Sequence, residues 1–513
     1  MSADASQTLK QEIARIVSGN DLYNSYRDRW IYLLRSYIGG SDYRRAGYLV
    51  RYVNETDDEY LARTNATPLE NHCSSVVSVY NSFLFREMPA RDLGTLATVP
   101  AVEDFLWDVD FEGRSLDNFM KEVATWSSVY GHTWIMVVKP NVNAQTLGEE
   151  QEMGVRPYLS MLTAPAVLDW QWTRNDNGSY SLSYFKYLED VNGDVHTVKE
   201  WTPESIITDV VDVAKQAIIE QTEEPNQLGI IPAVIHYNSR GPTRGVGVSD
   251  ITDIADLQKF IYNATSEIDQ SIRLDSHPSL VKTPETQAGI GAGSIIHMPD
   301  NLDPGLKPYV LQFSGASVDN ILKAVERATD AIDKMANIGA VRANQQRTIS
   351  GVAMETEFQL LNARLSEKAD NLELAEEQMW RFWAMYMNQQ WTGWIKYPGS
   401  FNIRDTEHEI RQLKVARETA QDPRVLREID RRILEWMEVD PEQVFAEQED
   451  SRTYPNGEPI DPRLPEAYRD ATGESQQCEN CQFYNSQTFT CEAFGGAPVR
   501  PMWVCAQWQG DNQ

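Results

Sequence analysis

Residues 353–391 constrain the fold more than any other stretch of the sequence. Apolar side chains recur there every seven residues in two interleaved series, and a single lysine interrupts the second. The first series is Phe358, Leu365, Leu372, Met379 and Tyr386, and the second is Met354, Leu361, Lys368, Ala375 and Phe382. This recurrence predicts a helix with one packed face. From Met354 to Asn388 the helix would extend about 50 Å, so it needs a neighbour along its whole length.

A second one-sided helical pattern covers residues 317–341, and the polar sequence NQQRTISG separates it from the first. Its apolar positions are Val318, Ile321, Val325, Ala328, Ile332, Met335 and Gly339. Long one-sided helices are typical of large helical cores, of coiled coils and of rings in which copies of one protein pack side by side. Periodicity alone favours two interpretations equally, a large helical core within one chain and a ring of packed copies.

The charge balance limits the partners of the chain. Its 513 residues include 76 acidic and 46 basic side chains, a formal net charge of −30. Because non-specific affinity for nucleic acid comes mainly from neutralised phosphates, this balance excludes a general DNA or RNA clamp. There is no run of eighteen apolar residues, and the N-terminus is polar where a signal peptide would be apolar. We therefore expect no membrane partner and synthesis in a reducing cytoplasm.

The remaining patterns predict a mainly helical α+β chain. Amphipathic helices are expected over residues 8–38, and alternation with period two appears between residues 157 and 208. The Asn177-Gly178 and Asn192-Gly193 pairs are hairpin signals and predict an antiparallel β meander. A further helix of about 25 residues follows Ser249, its expected cap.

Common catalytic signatures are absent from the sequence. It contains no GxxxxGK[ST], GxSxG or HExxH motif. The acidic pairs Glu355/Glu357 and Glu376/Glu377 fit a solvated helix face better than general acid–base work. We therefore expect that the protein is not an enzyme.

Four cysteines near the C-terminus have metal-ligand spacing. They are Cys478, Cys481, Cys491 and Cys505, and four thiolates suit tetrahedral zinc or an iron–sulfur cluster. Their segment, CENCQFYNSQTFTCEAFGGAPVRPMWVCAQW, resembles the cluster-binding part of high-potential iron–sulfur proteins, although Val504 is inserted before the last cysteine. The resemblance implies a 4Fe-4S cluster. Zinc and disulfides remain alternatives.

Three longer stretches carry a second resemblance. They are YLARTNATPLENHCSSVVSVYNSFLFREMP from Tyr60, GVGVSDITDIADLQKFIYNATSEIDQSIR from Gly245, and RTISGVAMETEFQLLNARLSEKADNLELAEEQM from Arg347. Together with the order of elements, they make residues 20–440 resemble the portal proteins of tailed bacteriophages, the head-to-tail connectors. The cysteine tail departs from that family's usual pattern.

The portal resemblance implies a division of the chain into wing, stem, clip and crown. The implied parts are an N-terminal wing of helices and antiparallel strands (1–245), stem helix 1 (246–274), a clip (275–316), stem helix 2 (317–341), a tunnel loop (342–352), a long kinked wing helix with a return strand (353–404) and crown-like helices (405–444). A linker (445–475) and the four-cysteine metal module (476–513) would follow.

The same resemblance implies a function in the virion. It implies a ring of twelve copies at one capsid vertex, assembled in the host cytoplasm, through which double-stranded DNA is packaged, retained and ejected. Implied partners are the terminase motor, the major capsid protein and a head–tail adaptor. Channel candidates in the tunnel loop are Arg342, Asn344, Gln345, Gln346, Arg347 and Thr348, which could equally be solvated or pair with a neighbour's glutamate.

Two other functions remain open from the sequence. One is an iron–sulfur or zinc redox protein whose large N-terminal region binds a substrate. The other is a tail or neck adaptor. The number of chains in the native particle separates the redox protein from the portal, and the shape of the ring separates the adaptor.

Overall fold

The computed structural model divides the chain into two compact units, Met1–Asn402 and Ile403–Gln513. The structure describes residues 3–142, 149, 153–276, 279–281, 303, 305, 309–311, 316–339, 351–399, 401, 413–417, 419, 423–436, 469–470, 483–485, 487–494, 497–499 and 503–504. A run of helices, a run of antiparallel strands and further long helices follow one another along the first unit, so the α+β prediction is confirmed. None of the helices in the described ranges is long and apolar enough to cross a membrane.

The first unit contains ten of the helices numbered here. They are α1 (Ala3–Val17), α2 (Asp21–Ile38), α3 (Gly40–Arg45), α4 (Asp57–Ala66), α5 (His72–Leu84), α6 (Pro100–Trp107), α7 (Leu116–Tyr130), α8 (Thr252–Ser276), α9 (Ala316–Met335) and α10 (Gly351–Tyr386). Several of these helices have an N-terminus that is capped by a side-chain hydrogen bond. The Asn20 side chain accepts a hydrogen bond from the backbone N–H of Tyr23, and Thr56 and Glu59 form a reciprocal capping box.

The described strands of the first unit form four sheets. They are β1 (Ala90–Asp92), β2 (His132–Val138), β3 (Tyr158–Thr163), β4 (Val167–Arg174), β5 (Tyr180–Asn192), β6 (Val195–Trp201), β7 (Ser205–Asp212), β8 (Ala217–Pro225), β9 (Ala233–Tyr237), β10 (Ser279–Val281), β11 (Tyr309–Leu311) and β12 (Trp394–Lys396). Strands β4 to β8 pair in sequence order, so the predicted antiparallel meander is confirmed. The other sheets are β3-β2-β9, β1-β12 and β10-β11.

One hydrophobic core joins the helices to the sheets of the first unit. Its largest fully buried side chains include Trp30 of α2, Trp134 of β2, and Trp380 and Trp383 of α10. The ring of Phe105 lies 5.3 Å from Trp380 and 5.5 Å from Trp383, centroid to centroid. Helix α10 is therefore part of the central core.

The predicted seven-residue seam of α10 is buried by the chain itself. Leu361, Leu365, Leu372, Ala375 and Met379 are each at most 2% exposed, in one subunit without a neighbour. Phe382 and Tyr386 are partly buried against the same core. For this helix the core interpretation is thus sufficient, and its length does not by itself require a ring.

The end of α7 packs backbone to backbone against the loop after β9. Gly131 ends α7 with φ +94°, a left-handed conformation that favours glycine. A Cβ atom on Gly131 would overlap the carbonyl of Gly247 and lie 2.9 Å from the carbonyl carbon of Val248. Only glycine allows this approach, which positions the segment leading into α8.

We expect Gly131→Ala to destabilise the subunit. The left-handed conformation costs an L-residue about 1–2 kcal/mol, and the overlap with Gly247 adds to that cost. Gly193→Ala is the matched control, because Gly193 also has positive φ (+61°) but no atom within 4 Å of its added Cβ. Thermal unfolding of both variants measures the difference. Equal losses would show that the backbone contact contributes nothing.

The described part of the second unit contains one longer helix and five short strands. These are α11 (Pro423–Trp436), β13 (Arg469–Asp470), β14 (Tyr484–Asn485), β15 (Thr490–Cys491), β16 (Ala497–Pro498) and β17 (Trp503–Val504). Strands β14, β15 and β16 form one antiparallel sheet, and β13 pairs with β17. This unit contains the cysteine segment.

Candidate functional site

Helices α8 and α9 pack against one another and form the candidate stem. Helix α8 buries Ile254, Ile261 and Ala264, and α9 buries Ala328 and Ile332. Their outward faces are charged. Helix α8 carries five acidic and two basic side chains and α9 carries four acidic and three basic ones, so both are net acidic.

The outward faces of this helix pair also carry apolar side chains. Phe260 and Ile272 of α8 are 47% and 51% exposed, and Leu322 and Met335 of α9 are 44% and 40% exposed. Large apolar side chains exposed on paired helices are typical of surfaces that meet another protein. Helix α10 likewise exposes Leu360, Leu374 and Met385 by 42–53%, so exposed apolar side chains occur on all three long helices.

A buried charged cluster fixes the start of α8 to the long helix α10. Asp250, two residues before α8, accepts from Lys368 Nζ at 2.5 Å and from Arg364 at 3.0 Å. Lys368 also donates to the Ser128 hydroxyl at 3.1 Å and to the side-chain carbonyl of Asn238. The cluster thus joins α7, the end of β9, the start of α8 and α10. Lys368 is the residue that interrupts the apolar series.

Burial makes this ion pair important for stability. Lys368 is 6% and Asp250 is 8% exposed. Burial acts to raise the pKa of Asp250, but Lys368 and Arg364 outweigh it and hold that pKa below its usual value. Burial lowers the pKa of Lys368 more than Asp250 raises it. Removing one partner would leave a desolvated charge.

A polar cleft of about 350 Å³ opens beside the cluster. Arg364, Lys368 and Glu367 of α10 line one side, and the Ser249–Asp250 segment lines another. Arg364 also donates to the backbone carbonyl of Met335 at 3.1 Å, which ties the end of α9 to α10. The side chains of Arg364 and Lys368 therefore attach both candidate stem helices to α10.

A second buried cluster surrounds Glu376 and corrects a sequence prediction. Glu376 was expected on a solvated face, but it is fully buried, so that prediction is wrong. Its carboxylate accepts from Arg91 Nε at 2.6 Å and from the Tyr397 hydroxyl at 2.7 Å. Arg91 also donates to Asp117 at 2.6 Å. A buried ion pair therefore occupies a face of α10 that the sequence pattern predicted to be exposed to solvent.

Two fully buried histidines lie close to the first cluster. Burial lowers the pKa of His132 to about 3, with a further contribution from His236. Burial likewise lowers the pKa of His236 to about 3, helped by the charge of Lys368 and opposed by a hydrogen bond with Asn371. Both rings are therefore neutral in the folded chain near neutral pH.

We expect these histidines to destabilise the subunit in acid. An unfolded histidine titrates near 6.5, so below that pH the unfolded chain binds protons that the folded chain excludes. Their contribution to stability is complete above pH 6.5 and is lost as pH falls towards 3. Unfolding temperature measured from pH 7.5 to 4 should fall less steeply in His236→Gln than in the wild type. His196→Gln, at a half-exposed site, is the control and should retain the wild-type slope.

The sequence-predicted site residues lie mostly outside the described part of the structure. This holds for Arg342, Asn344, Gln345, Gln346, Arg347 and Thr348, and for Cys478, Cys481 and Cys505. Cys491 is described. It is a free, buried cysteine on β15, opposite Tyr484 and Ala497. No group of three or more metal-binding side chains occurs among the described residues, a set that contains only one of the four cysteines.

The sequence places the chain among the portal proteins of phages. Residues 9–413 match the family model described as phage portal protein, SPP1 Gp6-like. Because this match spans well over half of the chain, the chain belongs to the SPP1 Gp6-like phage portal protein family. It is a structural protein of the virion that functions at a capsid vertex, in agreement with the portal resemblance of the sequence.

Two solved structures match the chain. The first is the neck of an empty gene transfer agent particle, computed with C6 symmetry, with 14% identity, a TM-score of 0.41 and coverage of 75% of this chain and 95% of the other. The second is the virion of a native gene transfer agent particle, with 12% identity, a TM-score of 0.40 and coverage of 74% and 94%. No curated protein matches the chain.

Proposed function

We propose that copies of this chain form a closed ring, about twelve in number, through which double-stranded DNA passes during packaging and ejection. The observation that carries the proposal is the family match over residues 9–413, which contains both candidate stem helices. The exposed apolar side chains of these two helices suit contact between neighbouring copies. The terminase motor, the major capsid protein and a head–tail adaptor would be the partners of such a ring.

The acidic character of the chain suits a passage that must not retain DNA. A DNA duplex binds a protein more tightly when lysine and arginine neutralise its phosphates, because the condensed counterions are then released into solution. Net acidic helices do not provide that gain in affinity. In this proposal α8 and α9 are the stem helices, residues 275–316 the clip and residues 342–352 the tunnel loop. The parts before and after them are the wing (1–245), the wing helix with its return strand (353–404) and the crown-like helices (405–444). Arg342 and Arg347 would make brief contacts with phosphates.

Native mass measurement tests the ring directly. The purified chain should form a particle about twelve times the 58.4-kDa subunit mass, and electron microscopy should show a central passage. A particle that remains a monomer or dimer at micromolar concentration would overturn the proposal. The same images would distinguish a portal from a flatter neck adaptor.

Binding of duplex DNA to charge variants of α8 tests the role of the acidic side chains on the stem helices. Asp253 and Asp256 are exposed on α8, so Asp253→Lys/Asp256→Lys should strengthen duplex binding by the assembled ring and increase its salt dependence. Asp57→Lys/Asp58→Lys on α4 makes the same charge change and is the matched control. If both variants bind duplex DNA as weakly as the wild type, stem charge does not control adhesion.

We further propose that Cys478, Cys481, Cys491 and Cys505 hold one metal centre in residues 476–513, after the linker 445–475. Support comes from their spacing and from the burial of Cys491, which lies on a small sheet opposite Tyr484 and Ala497. The centre would be a 4Fe-4S cluster, with zinc as the alternative, and its role would be to stabilise a module with little core.

Metal analysis of anaerobically purified protein tests the centre. About four irons per chain with a broad band near 400 nm indicates the cluster, and one zinc per chain without that band indicates the alternative. Absence of both metals, with all four thiols open to alkylation, would end the metal proposal. The redox-protein function is not favoured, because the large N-terminal region that it assigns to substrate binding matches the portal family over residues 9–413.

A further inference from the structure

A surface pocket of about 410 Å³ lies where the loop after β9 crosses α10. The β4–β5 hairpin supplies Trp172 and Tyr180 to one wall, and α10 supplies Gln378 to another. Arg240 and Arg244, from the crossing loop, complete the lining. The pocket is separate from both buried charge clusters.

The two arginines are stacked on aromatic rings and carry no counter-charge. The guanidinium of Arg244 lies 3.6 Å from the centre of the Tyr180 ring and 5.6 Å from that of Trp172. The guanidinium of Arg240 lies 5.4 Å from the centre of the Tyr237 ring. Both arginines are exposed, and neither forms an ion pair within the described part of the chain. Stacking holds the planar groups in place while their N–H edges remain available.

Two of the lining residues, Trp172 and Tyr237, carry further hydrogen-bond donors, and none of the lining residues is acidic. The indole N–H of Trp172 is buried and has no hydrogen-bond partner in the described chain. The Tyr237 hydroxyl accepts from Gly245 N at 2.9 Å, which leaves its own proton free to donate. None of the pocket's lining residues is acidic, although the chain carries 76 acidic side chains. This arrangement can recognise an anionic group rich in acceptors.

We propose that this pocket receives a carboxylate side chain from a second copy of the chain and is thereby a contact between neighbouring subunits. The inference rests on the ring proposed above. A carboxylate matches the paired N–H edges of an arginine, and each copy, with a net charge of −30, presents many carboxylates. Phosphates of a nucleic acid offer the same acceptors, but the charge of the whole chain repels them.

Loss of the two guanidinium groups tests the contact. Arg240→Gln/Arg244→Gln should raise the protein concentration at which half the chains are assembled by at least roughly tenfold, because charge-assisted hydrogen bonds are lost. Arg27→Gln/Arg45→Gln is the matched control, since both arginines are exposed on helices and the change in net charge is the same. Thermal unfolding of the unassembled chains verifies that both variants fold.

Chemical coupling identifies the occupant. In Arg240→Lys/Arg244→Lys, a carbodiimide activates any adjoining carboxyl, and the amine displaces the urea to form an amide bond. Rings assembled from ¹⁵N-labelled and unlabelled chains should yield cross-linked peptides of mixed label that join position 240 or 244 to an aspartate or glutamate of another copy. Cross-links within one chain only, or none, would overturn the inference.

The outcomes separate this inference from the ring itself. A wild-type chain that never assembles would remove the ring, and the pocket contact with it. A ring that assembles equally well in the glutamine variant and its control would remove the pocket contact alone. If a short DNA duplex blocks the coupling and binds the wild type but not the glutamine variant, the ligand is phosphate and the carboxylate assignment is wrong.

Discussion

Replacing Lys368 with methionine should lower the free energy of unfolding of the subunit by about 3–5 kcal/mol, the usual cost of breaking a buried ion pair. Methionine keeps most of the volume of the lysine but leaves the buried Asp250 carboxylate with Arg364 as its one remaining ion-pair partner among the described residues. It also removes a donor from Ser128 and Asn238. Chemical denaturation of the unassembled subunit measures the loss.

Lys396→Met is the matched control for that change. Lys396 pairs with Glu373 at 2.9 Å, but its side chain is 59% exposed. Exposed pairs contribute about 0–1 kcal/mol, because water solvates the charge that remains. If the two variants unfolded at the same denaturant concentration, burial of the Asp250–Lys368 pair would contribute nothing to stability.

Replacing Arg91 with methionine should lower the free energy of unfolding by a similar amount, roughly 3–5 kcal/mol, because the buried Glu376 carboxylate loses its cation. The Glu376 carboxylate is fully buried. Among the described residues it would keep the Tyr397 hydroxyl and a long contact with the Trp380 indole N–H at 3.4 Å. Because Arg91 lies in β1 and Tyr397 follows β12, the loss should loosen the attachment of this small sheet to α10. Hydrogen exchange of the β1–β12 amides measures this effect beside the overall stability.

The double variant Arg91→Met/Glu376→Met should recover part of the loss. An apolar pair of similar volume replaces a buried ion pair at little net cost, whereas one unpaired charge is costly. Arg381→Met serves as the control, since Arg381 is 59% exposed beside Glu377. If the double variant were less stable than Arg91→Met, desolvation of Glu376 would not be the cause of the loss.

Several elements could be predicted from local sequence because their physical causes are local. The Asn177-Gly178 and Asn192-Gly193 turns fix the hairpins of the meander, and residues 175–179 and 193–194 do connect β4 to β5 and β5 to β6. The seven-residue recurrence predicted which face of α10 packs, and Leu361, Leu365 and Leu372 are buried.

The same recurrence could not show what covers that face. Asp250 is 118 residues from Lys368 in sequence, and Arg91 is 285 residues from Glu376. Hydrophobic patterning treats a charge as solvated, so it placed Glu376 at the surface. The burial of a charged residue can be predicted only when its partner, which is distant in sequence, is known.

The sequence by itself determined the secondary-structure pattern and the acidic charge, because turns, helix periodicity and composition act through near neighbours or sums over the chain. The portal family came from the resemblance of three longer stretches to known portal proteins. The tertiary structure alone decided that α10 is covered by its own chain, that Lys368 and Glu376 are buried in ion pairs, and that Arg240 and Arg244 share a pocket without a carboxylate. Those outcomes depend on residues brought together across hundreds of positions, and no local pattern encodes such distances.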